Sequence, residues 1–578
     1  MANIWKLYKQ GWNAISQNGH RVLWIYGASL TLLSLIDAAA LYILSKSVLA
    51  NNTSEINVDG IGKSLAIVIV LFLMRSIFAT AISYWGVRHF AQQEVQLGSD
   101  GYARINNLGW DRRQSVSAVD LYSSVDRGPN SLVQGVMISV VTIITELISG
   151  LVILAAILFM QPLTAIVALL YFVTVALIQH RVLSVASQSA GERVTRATQE
   201  TYQMLSDANS IAKLLAISPS QSFEKSLDAT RSELAYARAS SAFLALLPRY
   251  FMESVLAVGF LVVAGSAYIA GGSAAAAAAL TVFAAAGFRL LPIVNRIQGL
   301  TLLVFSLEPA AKLTFLTETL YPETTALKPN RSNPSSGESD ALVSLQGVSY
   351  RYPSANQFAV RNLSIELEAG LQYAVVGPSG AGKTTFVDIC LGLLTPQEGM
   401  VLKSKQSTET NVSYVPQETN LISGTLFSNV ALEWNESDIS ETQVRDAVHA
   451  AQIDGLLTDN DSIESLLGDG AGSVSGGQKQ RIGLARALYR NPDFLVLDEA
   501  TSALDSETER AVMESVEQLR GKATVLIVAH RLSTVKDVDQ VIYMEDGSIK
   551  GVGTFIELKA SIPGFARQIE LGTLGLLD

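Results

Sequence analysis

The segment Gly377–Thr384 has the sequence Gly-Pro-Ser-Gly-Ala-Gly-Lys-Thr and follows a short apolar run, Tyr373–Val376. Glycines at these positions let backbone N–H groups surround phosphate oxygens, and a helix that begins at the end of such a loop adds a favourable dipole. This pattern is typical of a phosphate-binding loop and rarely occurs as a turn without ligand. Lys383 is then expected to contact the β- and γ-phosphates of a nucleotide, and Thr384 a magnesium ion. The predicted phosphate-binding residues are Gly377, Ser379, Gly380, Gly382, Lys383, Thr384 and Thr385.

Two adjacent carboxylates follow a second apolar run, Phe494–Leu497. If this run is a buried strand of the same sheet, Asp498 and Glu499 lie at its carboxyl end, beside the phosphate loop. Asp498 is then placed to hold magnesium, directly or through water, and Glu499 to polarise an attacking water molecule. An isolated strand of this kind is more often an ordinary sheet end, so the interpretation depends on the phosphate loop.

The elements that position these residues predict an α/β domain. The runs Tyr373–Val376, Phe494–Leu497 and Thr524–Val528 are β-rich and alternate with helical segments, as in sheets that bind phosphates at their strand ends. Before this domain, a stretch rich in Pro, Ser, Thr, Asn and Glu is typical of a linker. The predicted parts are a membrane domain at 1–320, a linker at 321–340 and a nucleotide-binding domain at 341–578.

The bulk composition indicates that the first part lies in lipid. Of 578 residues, 49% are hydrophobic and 16% are charged, whereas a soluble domain carries about 25% charged residues. The net charge of −10 argues against a nucleic-acid partner, because no broad basic field remains to neutralise phosphates. The single cysteine, Cys390, excludes an intrachain disulfide and is expected to be a buried free thiol.

Long apolar runs predict six membrane-spanning helices, since a helix needs about 20 residues to cross a bilayer. The amphipathic start of the chain, which includes Trp5 and Trp12, is expected to be an interfacial helix. Lys and Arg are concentrated after the second and fourth spans, in connections that keep helical periodicity, and are absent from Ser47–Gly62; both termini are therefore expected in the cytoplasm. The predicted spans are Leu23–Ser45, Lys63–Val87, Gly135–Met160, Pro162–His180, Tyr250–Gly271 and Ala275–Phe305.

With these features the chain resembles the ABC transporter superfamily, because Val474-Ser475-Gly476-Gly477-Gln478, upstream of Asp498, is similar to its signature sequence. The resemblance implies an exporter-type half-transporter that uses ATP and Mg²⁺, with two nucleotide-binding domains packed head to tail. Each ATP would lie between the phosphate loop of one chain and the signature of the other.

The same resemblance assigns further roles. Tyr352 matches the aromatic residue that stacks on adenine, Gln417 the Q-loop residue that links magnesium to the membrane domain, and Asp505 the D-loop. His530 matches the switch histidine, although a lone histidine is usually structural. The implied catalytic residues are Glu499, His530 and Gln417; the implied magnesium ligands are Thr384, Gln417 and Asp498; the implied signature contacts to nucleotide are Ser475, Gly476, Gly477 and Gln478.

Every catalytic position holds the expected residue, so a homodimer with two competent sites is the simplest interpretation, and a heterodimer stays open. By resemblance, the segments Asp111–Ser115 and Ser218–Glu224 should contain coupling helices that touch the nucleotide-binding domains. Asp469 matches an acidic residue of the family's X-loop.

Charged residues inside the predicted spans are costly to insert and usually face a cavity or a partner. Four arginines, Arg75, Arg249, Arg289 and Arg296, are candidates for binding a substrate that bears phosphate, because guanidinium binds phosphate through two parallel hydrogen bonds. The alternative is that Asp37, Glu146 and Glu253 pair with these arginines to hold helices together.

The pattern Pro248-Arg249-Tyr250, with Phe288–Pro292 and Asn295–Ile297, resembles bacterial lipid-linked oligosaccharide flippases of the PglK type. That resemblance implies a polyprenyl-pyrophosphate sugar as cargo and a location in the bacterial cytoplasmic membrane. The loop Ser47–Gly62 is short for the external helix of that group. Two alternatives stay open: an exporter of the same fold for drugs, lipids or peptides, and a non-transporting ATP-dependent membrane regulator.

Overall fold

The computed structural model describes residues 2–50, 58–160, 162–218, 220–320, 341–353, 355–403, 411–457, 466–467, 474–500, 505–529 and 535–570. The chain divides into two compact units. The first comprises Met1–Leu108 and Arg113–Ala326, and the second comprises Gly109–Arg112 and Leu327–Asp578. The predicted linker at 321–340 lies outside the described residues, so the predicted domain bounds stay a prediction.

The first unit is helical over its described residues. Two of its segments are π-helical, π1 (Ser123–Arg127) and π2 (Ser131–Met137), and Lys312–Phe315 forms a 3₁₀ turn. The α-helices from the N-terminus up to the second unit's sheets are α1 (Ala2–Ala14), α2 (Gln17–Ala50), α3 (Val58–Asn106), α4 (Trp110–Arg113), α5 (Ala118–Tyr122), α6 (Gly128–Asn130), α7 (Ile138–Met160), α8 (Pro162–Ser210), α9 (Ala212–Ile217), α10 (Gln221–Ala311) and α11 (Leu316–Leu320).

Five helical stretches of the described chain are long and apolar enough to cross a membrane, and they overlap the second to sixth predicted spans. They are Leu65–Asn106, Ala118–Ala155, Leu169–Ser210, Gln221–Ile269 and Leu290–Leu320. The first predicted span falls in α2, several of whose side chains lie outside the described residues, and it stays a prediction. Helices α3 and α8 have 49 residues each, or about 74 Å at 1.5 Å per residue. They therefore extend well beyond a hydrocarbon layer of about 30 Å.

A turn between the fifth and sixth predicted spans interrupts α10 at two glycines. Gly271 has φ −160° and ψ 17°, and Gly272 has φ 75° and ψ −165°. The second of these conformations is open to glycine and strained for other residues, which is why the helix breaks here. The chain before and after the break is called the first and second limbs of α10.

Close helix packing in the first unit depends on glycine. Helices α8 and α10 pack along each other, and a Cβ atom at Gly191 of α8 would lie 2.1 Å from the carbonyl oxygen of Ser306 on the second limb of α10. That separation is far below van der Waals contact, and the atom it meets is backbone, which cannot rotate away.

We expect Gly191→Ala to destabilise the first unit by about 1–3 kcal/mol through overpacking. The matched control is Gly265→Ala, at a helical glycine of α10 where a Cβ would meet nothing within 4 Å. Thermal unfolding of the purified full-length variants checks the difference. Equal midpoints for the two variants would contradict the tight contact between α8 and α10.

The described residues of the second unit form three sheets. An antiparallel sheet has the strand order β2-β1-β4, a larger sheet has the order β11-β10-β3-β9-β8-β5, and β6 pairs with β7. The strands are β1 (Ala341–Tyr350), β2 (Val360–Glu368), β3 (Gln372–Val376), β4 (Glu398–Lys403), β5 (Val412–Val415), β6 (Gly424–Thr425), β7 (Leu466–Leu467), β8 (Phe494–Asp498), β9 (Thr524–Val528), β10 (Gln540–Glu545) and β11 (Ser548–Gly553). The helices are α12 (Lys383–Leu391), α13 (Leu426–Ala431), α14 (Glu441–Ala450), α15 (Gly476–Tyr489), α16 (Ser506–Glu517), α17 (Phe555–Ser561) and α18 (Pro563–Glu570).

The larger sheet is parallel from β10 to β5, and its central strands are buried on both faces. Such strands form continuous apolar runs, which is why Tyr373–Val376, Phe494–Leu497 and Thr524–Val528 could be predicted as strands; the structure confirms all three to within one residue. Because parallel strands end at one edge, the segments after β3, β8 and β9 meet there. Cys390 is a buried free thiol, as predicted.

Candidate nucleotide-binding site

The predicted phosphate loop joins β3 to α12 at the carboxyl edge of the larger sheet. Gly377, Gly380 and Gly382 have φ values of 157°, 80° and 92°. A Cβ at Gly377 would lie 2.1 Å from the carbonyl oxygen of Met544, so the backbone itself requires glycine at that position. The loop therefore has the tight, glycine-dependent path that the sequence predicts.

Lys383 begins α12, and its side chain lies back over the loop. The Nζ group donates to the carbonyl oxygens of Gly377 at 2.7 Å and Pro378 at 3.1 Å. Burial lowers the pKa of Lys383, while the carboxylates of Glu499 and Asp498 act in the opposite direction. The ammonium group and the two acids therefore share one small region at the mouth of the loop.

Both predicted acids lie at the end of β8. Tyr414 Oη donates to Asp498 Oδ2 at 3.0 Å, and burial, followed by the charge of Asp498, raises the pKa of Tyr414. Glu499 has φ 49°, and its backbone N–H donates to the carbonyl oxygen of Val528 at 3.2 Å. A positive φ outside glycine is uncommon and costs about 1–3 kcal/mol, and such residues cluster at active sites. The backbone therefore takes an uncommon conformation at Glu499, the residue that the sequence predicts to be the general base.

Gln417 connects this carboxylate to the segment that follows β5. Its Nε2 donates to Glu499 Oε2 at 2.8 Å, which leaves the Gln417 amide oxygen as an acceptor. Gln480 Nε2 of α15 donates to the Gln417 backbone carbonyl at 3.3 Å. The segment carrying Gln417 is therefore in contact with both the predicted base and the helix that begins at the signature sequence.

Tyr352 lies next to the first turn of α12. Its Oη is 3.3 Å from Thr385 Oγ1, and its ring packs edge-on against Tyr350 at 5.1 Å between centroids. These two contacts fix the position of the ring beside the phosphate loop. Stacking on adenine stays a proposal for Tyr352.

The signature residues form the beginning of α15. Ser475 is the N-cap: its Oγ accepts from Gln478 N at 3.2 Å, and Gln478 Oε1 accepts from Ser475 N at 2.8 Å. The N–H groups of Gly476 and Gly477 precede the first helical hydrogen bonds, so the helix start can take an anion. Asp505 caps α16 in a similar way, accepting from Thr508 N at 2.9 Å and Thr508 Oγ1 at 2.8 Å, and these bonds lower its pKa.

The donor set fits magnesium. Thr384 offers a hydroxyl, Asp498 a carboxylate and Gln417 an amide oxygen, and Mg²⁺ prefers oxygen ligands completed by substrate phosphates and water. Among the described residues, no three His, Cys, Asp or Glu side chains form a cluster that could hold a metal alone. His530 and Asp469 lie outside the described residues, and their roles stay predictions.

Two features of the site were not predicted from the sequence. Arg486 of α15 donates to the carbonyl oxygens of Asn429 and Asn420, each at 2.6 Å, and to Asn429 Oδ1 at 2.7 Å, which fixes α15 to the chain after Gln417. Asp388, on α12, accepts a hydrogen bond from Trp110, which belongs to this unit. Burial, with the charge of Asp498, raises the pKa of Asp388 to about 6.

This raised pKa predicts a pH-dependent stability. Asp388 binds its proton more tightly in the folded state than at its ordinary pKa of 3.8, so its contribution to stability is present at low pH and is lost as the pH rises towards 6. We expect Asp388→Asn to raise the unfolding midpoint relative to the wild type at pH 8 but not at pH 4. Thermal unfolding of the full-length protein across this range tests it, with Glu398→Gln, an exposed carboxylate on β4, as control. Parallel curves for Asp388→Asn and the wild type would contradict burial of a charged Asp388.

Known proteins resemble this chain in sequence and in fold. Residues 360–502 match the family described as ABC transporter. A solved structure of a bacterial Atm1-family ABC exporter with ATP bound superposes with a TM-score of 0.79 at 18% identity, covering 97% of this chain and 100% of that chain. The chain has the ABC exporter fold. The helices long and apolar enough to cross a membrane lie in the first unit, and the residues that match the ABC transporter family lie in the second.

Curated relatives match part of this chain. A β-(1→2)glucan export ATP-binding/permease protein, NdvA, of Mesorhizobium japonicum is 35% identical over 41% of this chain and 41% of its own length. An ATP-dependent lipid A-core flippase of Ralstonia nicotianae is 37% identical over 36% of this chain and 37% of its own. An ABC multidrug transporter, MDR1, of Cryptococcus neoformans is 36% identical over 40% of this chain and 17% of its own. The match thus spans less than half of each relative.

The first unit has a cavity of about 680 Å³ among α2, α3, α7 and the second limb of α10. Arg75 and Arg296 both line it, as does Glu146, whose Oε1 lies 2.7 Å from Arg296 Nη1. Five hydroxyl-bearing residues, Thr80, Ser83, Thr142, Thr145 and Ser149, also line this space, which is called the Arg75 cavity below.

The other charged residues predicted inside the spans either do not line the Arg75 cavity or have side chains outside the described part of the structure. Arg249 is not among the residues that line the Arg75 cavity; its Nε lies 3.2 Å from Glu253 Oε1, one turn away on α10. The side chains of Arg289 and Asp37 lie outside the described residues. Two of the four candidate arginines therefore have a carboxylate partner, as the alternative of structural pairing expects.

Proposed function

We propose that the chain is one half of a homodimeric, ATP-driven exporter, a translocase that couples ATP hydrolysis to movement of a solute across the membrane. The observation that carries this proposal is the 2.8 Å hydrogen bond that Gln417 donates to Glu499. The carboxylate of Glu499 lies close enough to the ammonium group of Lys383 for the two charges to interact. A carboxylate, an ammonium group and a glycine loop at one sheet edge provide the groups that phosphoryl transfer requires.

In this proposal each residue has a separate task. Lys383 contacts the terminal phosphates, and the backbone of Gly377, Gly380 and Gly382 surrounds them. Glu499 orients and polarises the attacking water, and Gln417 holds that carboxylate in place. When bound, Mg²⁺ would neutralise part of the phosphate charge. Thr384, Asp498 and Gln417 would be its protein ligands. His530 is proposed to contact the γ-phosphate.

The proposed partner of each chain is a second copy. The uncapped N–H groups of Gly476 and Gly477 are an anion-binding helix start, and a head-to-tail dimer would place them against the phosphates bound by the partner. Tyr352 would stack on adenine and Asp505 would lie at the dimer contact. From the distribution of Lys and Arg we place both termini in the cytoplasm. The resemblance to bacterial lipid-linked oligosaccharide flippases places the chain in the bacterial cytoplasmic membrane.

For the cargo we propose a lipid-linked oligosaccharide. Among its described lining residues, the Arg75 cavity has two arginines, Arg75 and Arg296, whose guanidinium groups suit phosphate, and several serine and threonine residues, which suit a sugar. One relative is named for β-(1→2)glucan export and another for flipping of lipid A-core, and their matches cover 41% and 36% of this chain, so they do not by themselves assign the cargo. The cavity is therefore the argument for the cargo.

A second candidate is export of drugs or other lipids. The Arg296–Glu146 pair favours it, because a carboxylate at 2.7 Å already neutralises one of the two guanidinium groups. The multidrug relative is consistent with this alternative. A non-transporting regulator would hydrolyse ATP without moving solute in sealed vesicles.

We expect Arg75→Leu and Arg296→Leu to remove stimulation of ATP hydrolysis by a polyprenyl-pyrophosphate sugar and to remove its flipping, while unstimulated hydrolysis stays near the wild-type rate. Lys should restore only part of the effect, since an ammonium group offers one point charge in place of a planar fork. Proteoliposomes with a fluorescent cargo analogue report flipping, and a coupled phosphate assay reports hydrolysis.

Two further variants separate recognition from structural pairing. Arg196→Leu removes a similar interhelical ion pair, Arg196 Nη2 to Glu233 Oε1 at 2.9 Å, outside the Arg75 cavity, and should leave flipping unchanged. Glu146→Gln frees Arg296 and should preserve or strengthen cargo stimulation. If Glu146→Gln and Arg296→Leu instead lower the unfolding temperature together and stable Arg75→Leu still flips the cargo, the arginines are structural and the drug or lipid alternative is preferred.

A further inference from the structure

A second charged pocket lies in the helical unit, apart from the Arg75 cavity. It has a volume of about 390 Å³ and is bordered by π1, π2, α8 and both limbs of α10. Arg127 and Arg238 supply its charge, and no acidic residue is among the described residues that line it. Both arginines precede the membrane spans predicted at Gly135–Met160 and Tyr250–Gly271. This space is called the Arg127 pocket, and it shares no lining residue with the Arg75 cavity.

Among the described residues, no carboxylate in the lining balances the positive charges of the Arg127 pocket. Arg127 Nη1 is buried and has no hydrogen-bond partner there, and the positive charge of Arg238 is close enough to act on it unfavourably. Elsewhere in the same unit, Arg196, Arg249 and Arg296 each have a carboxylate within 3.2 Å. Arg238 is exposed, so the cost falls mainly on Arg127, whose buried Nη1 donor is unused and would be satisfied by an anion in the pocket.

The neighbouring aspartate does not supply that anion. Asp126 is exposed, interacts with the hydroxyl of Tyr122 and lines a different cavity, with Glu94 and Tyr102. Among the described residues, the ionisable side chains that act on the charge of Arg127 are those of Tyr122, Tyr202 and Arg238. The carboxylate nearest in sequence therefore faces away from the pocket.

Hydroxyl groups complete the polar part of the pocket. Ser131 and Thr195 are buried at its wall, and Ser241 Oγ lies 3.0 Å from Ser306 Oγ, joining the two limbs of α10. A hydroxyl can turn to donate to an anion, so the pocket offers donors on several sides. The remaining wall is apolar, with Val194, Leu303 and Leu307.

The backbone around the Arg127 pocket is unusual and tightly packed. Arg127 is the last residue of π1 and Ser131 the first of π2, and π-helical turns are rare and frequent at functional positions. Behind the wall, Gly191 leaves no room between α8 and the Ser306 carbonyl. The donors are thus held on closely packed helices, which lowers the cost of ordering them on binding.

We propose that the Arg127 pocket binds a phosphate-bearing anion with a small apolar or organic substituent. Guanidinium matches phosphate through paired hydrogen bonds, and the apolar wall accepts the substituent. The phosphate belongs either to the headgroup of an anionic membrane lipid or to a soluble phosphate ester. This site is independent of ATP hydrolysis and of the cargo proposed for the Arg75 cavity, and either proposal can fail without the other.

Thermal unfolding of the full-length protein in nanodiscs tests the proposal with two probes. One arm adds glycerol 3-phosphate to protein in phosphatidylcholine discs, at constant ionic strength set with chloride; the other replaces part of the phosphatidylcholine with phosphatidic acid. At a probe concentration ten times the dissociation constant, the midpoint should rise by about 2–4 °C in the arm that supplies the ligand. A response in the first arm identifies a soluble ester, and a response in the second alone identifies a lipid headgroup.

Variants assign the response to the pocket. Arg127→Gln and Arg238→Gln should lose the rise, yet should be at least as stable as the wild type without probe, because each removes a repulsion. Arg196→Gln, which loses a carboxylate-paired arginine outside the pocket, should keep the rise. Any phosphate bound at the loop of Gly377–Thr384 is common to all of these proteins and cancels in the comparison. The proposal is overturned if neither probe shifts the wild type, or if the shift persists undiminished in both glutamine variants.

Discussion

Glu499→Gln is expected to reduce ATP hydrolysis by about 10²–10⁴-fold while leaving ATP binding close to the wild type, because a positioned general base contributes a factor of this size. Glutamine has the shape of glutamate but cannot accept the proton of the attacking water. It can still bond to Gln417 if that amide turns, so the local structure that places residue 499 after β8 is preserved. The phosphate loop and Lys383 are unchanged, which is why affinity should persist.

The measurement is steady-state hydrolysis by the purified protein, together with binding of a fluorescent ATP analogue. Glu398→Gln removes an exposed carboxylate from β4 of the antiparallel sheet and should hydrolyse ATP at the wild-type rate. Hydrolysis by Glu499→Gln near the wild-type rate would reject Glu499 as the base. Loss of binding together with hydrolysis would mean that the carboxylate acts on the structure of the site instead.

The parts of this site that could be predicted are those encoded in short, local spacing. The phosphate loop is eight consecutive residues, and its glycines are required by the backbone: Gly377 and Gly382 have positive φ, and a side chain at either would meet backbone atoms within 3 Å. The strands β3, β8 and β9 were found because both faces of each are buried, which demands an unbroken apolar run.

The contacts that hold the site together could not be predicted in the same way. Gln417 meets Glu499 across 82 positions of sequence, and Arg486 meets Asn429 across 57. One sequence offers many glutamines and asparagines that could fill those positions, and only the fold selects between them. The pairing of Arg296 with Glu146, 150 positions apart, was foreseen as a possibility because charge in lipid demands a partner, but the choice of partner required the structure.

The Arg127 pocket could not be predicted from the sequence, for a different reason. Arg127 is one of several arginines in the connection after the second predicted span, where basic residues are explained by topology alone. Hydropathy and residue spacing do not reveal the π-helical segments π1 and π2 beside Arg127. They also do not reveal that, among the described residues, no carboxylate lines the pocket. The sequence shows which residues are charged, but only the structure shows which of the described charges form ion pairs.

The dimer proposal has its own decisive experiment, in which two inactive variants restore activity when they are combined. Lys383→Ala removes the phosphate-loop ammonium group, and Ser475→Arg places bulk and positive charge at the start of α15. Each homodimer should lose nearly all hydrolysis, since both of its sites contain the defect. In a mixed dimer, one site combines both defects, and the other combines the intact loop of one chain with the intact signature of its partner.

An equal mixture assembled at random should therefore recover about a quarter of the wild-type activity, because half of the dimers are mixed and each has one of two sites intact. Mixed dimers isolated through two different affinity tags should recover about half if the sites act independently. If each chain instead used its own signature, mixing would restore nothing. Recovery thus depends on the sharing of sites between chains and not on the chemistry of either residue alone.

The control for Ser475→Arg addresses folding, because Ser475 also caps α15 and loss of a cap costs about 0.5–2 kcal/mol. Thr554 caps α17 with the same reciprocal pair of bonds, made with Glu557. Thr554→Arg therefore imposes the same local loss at a helix that has no proposed contact with nucleotide. It should hydrolyse ATP at the wild-type rate and should still supply an intact signature when mixed with Ser475→Arg. If Thr554→Arg is as inactive as Ser475→Arg, the loss reflects capping, and the signature has no separate role in the partner's site.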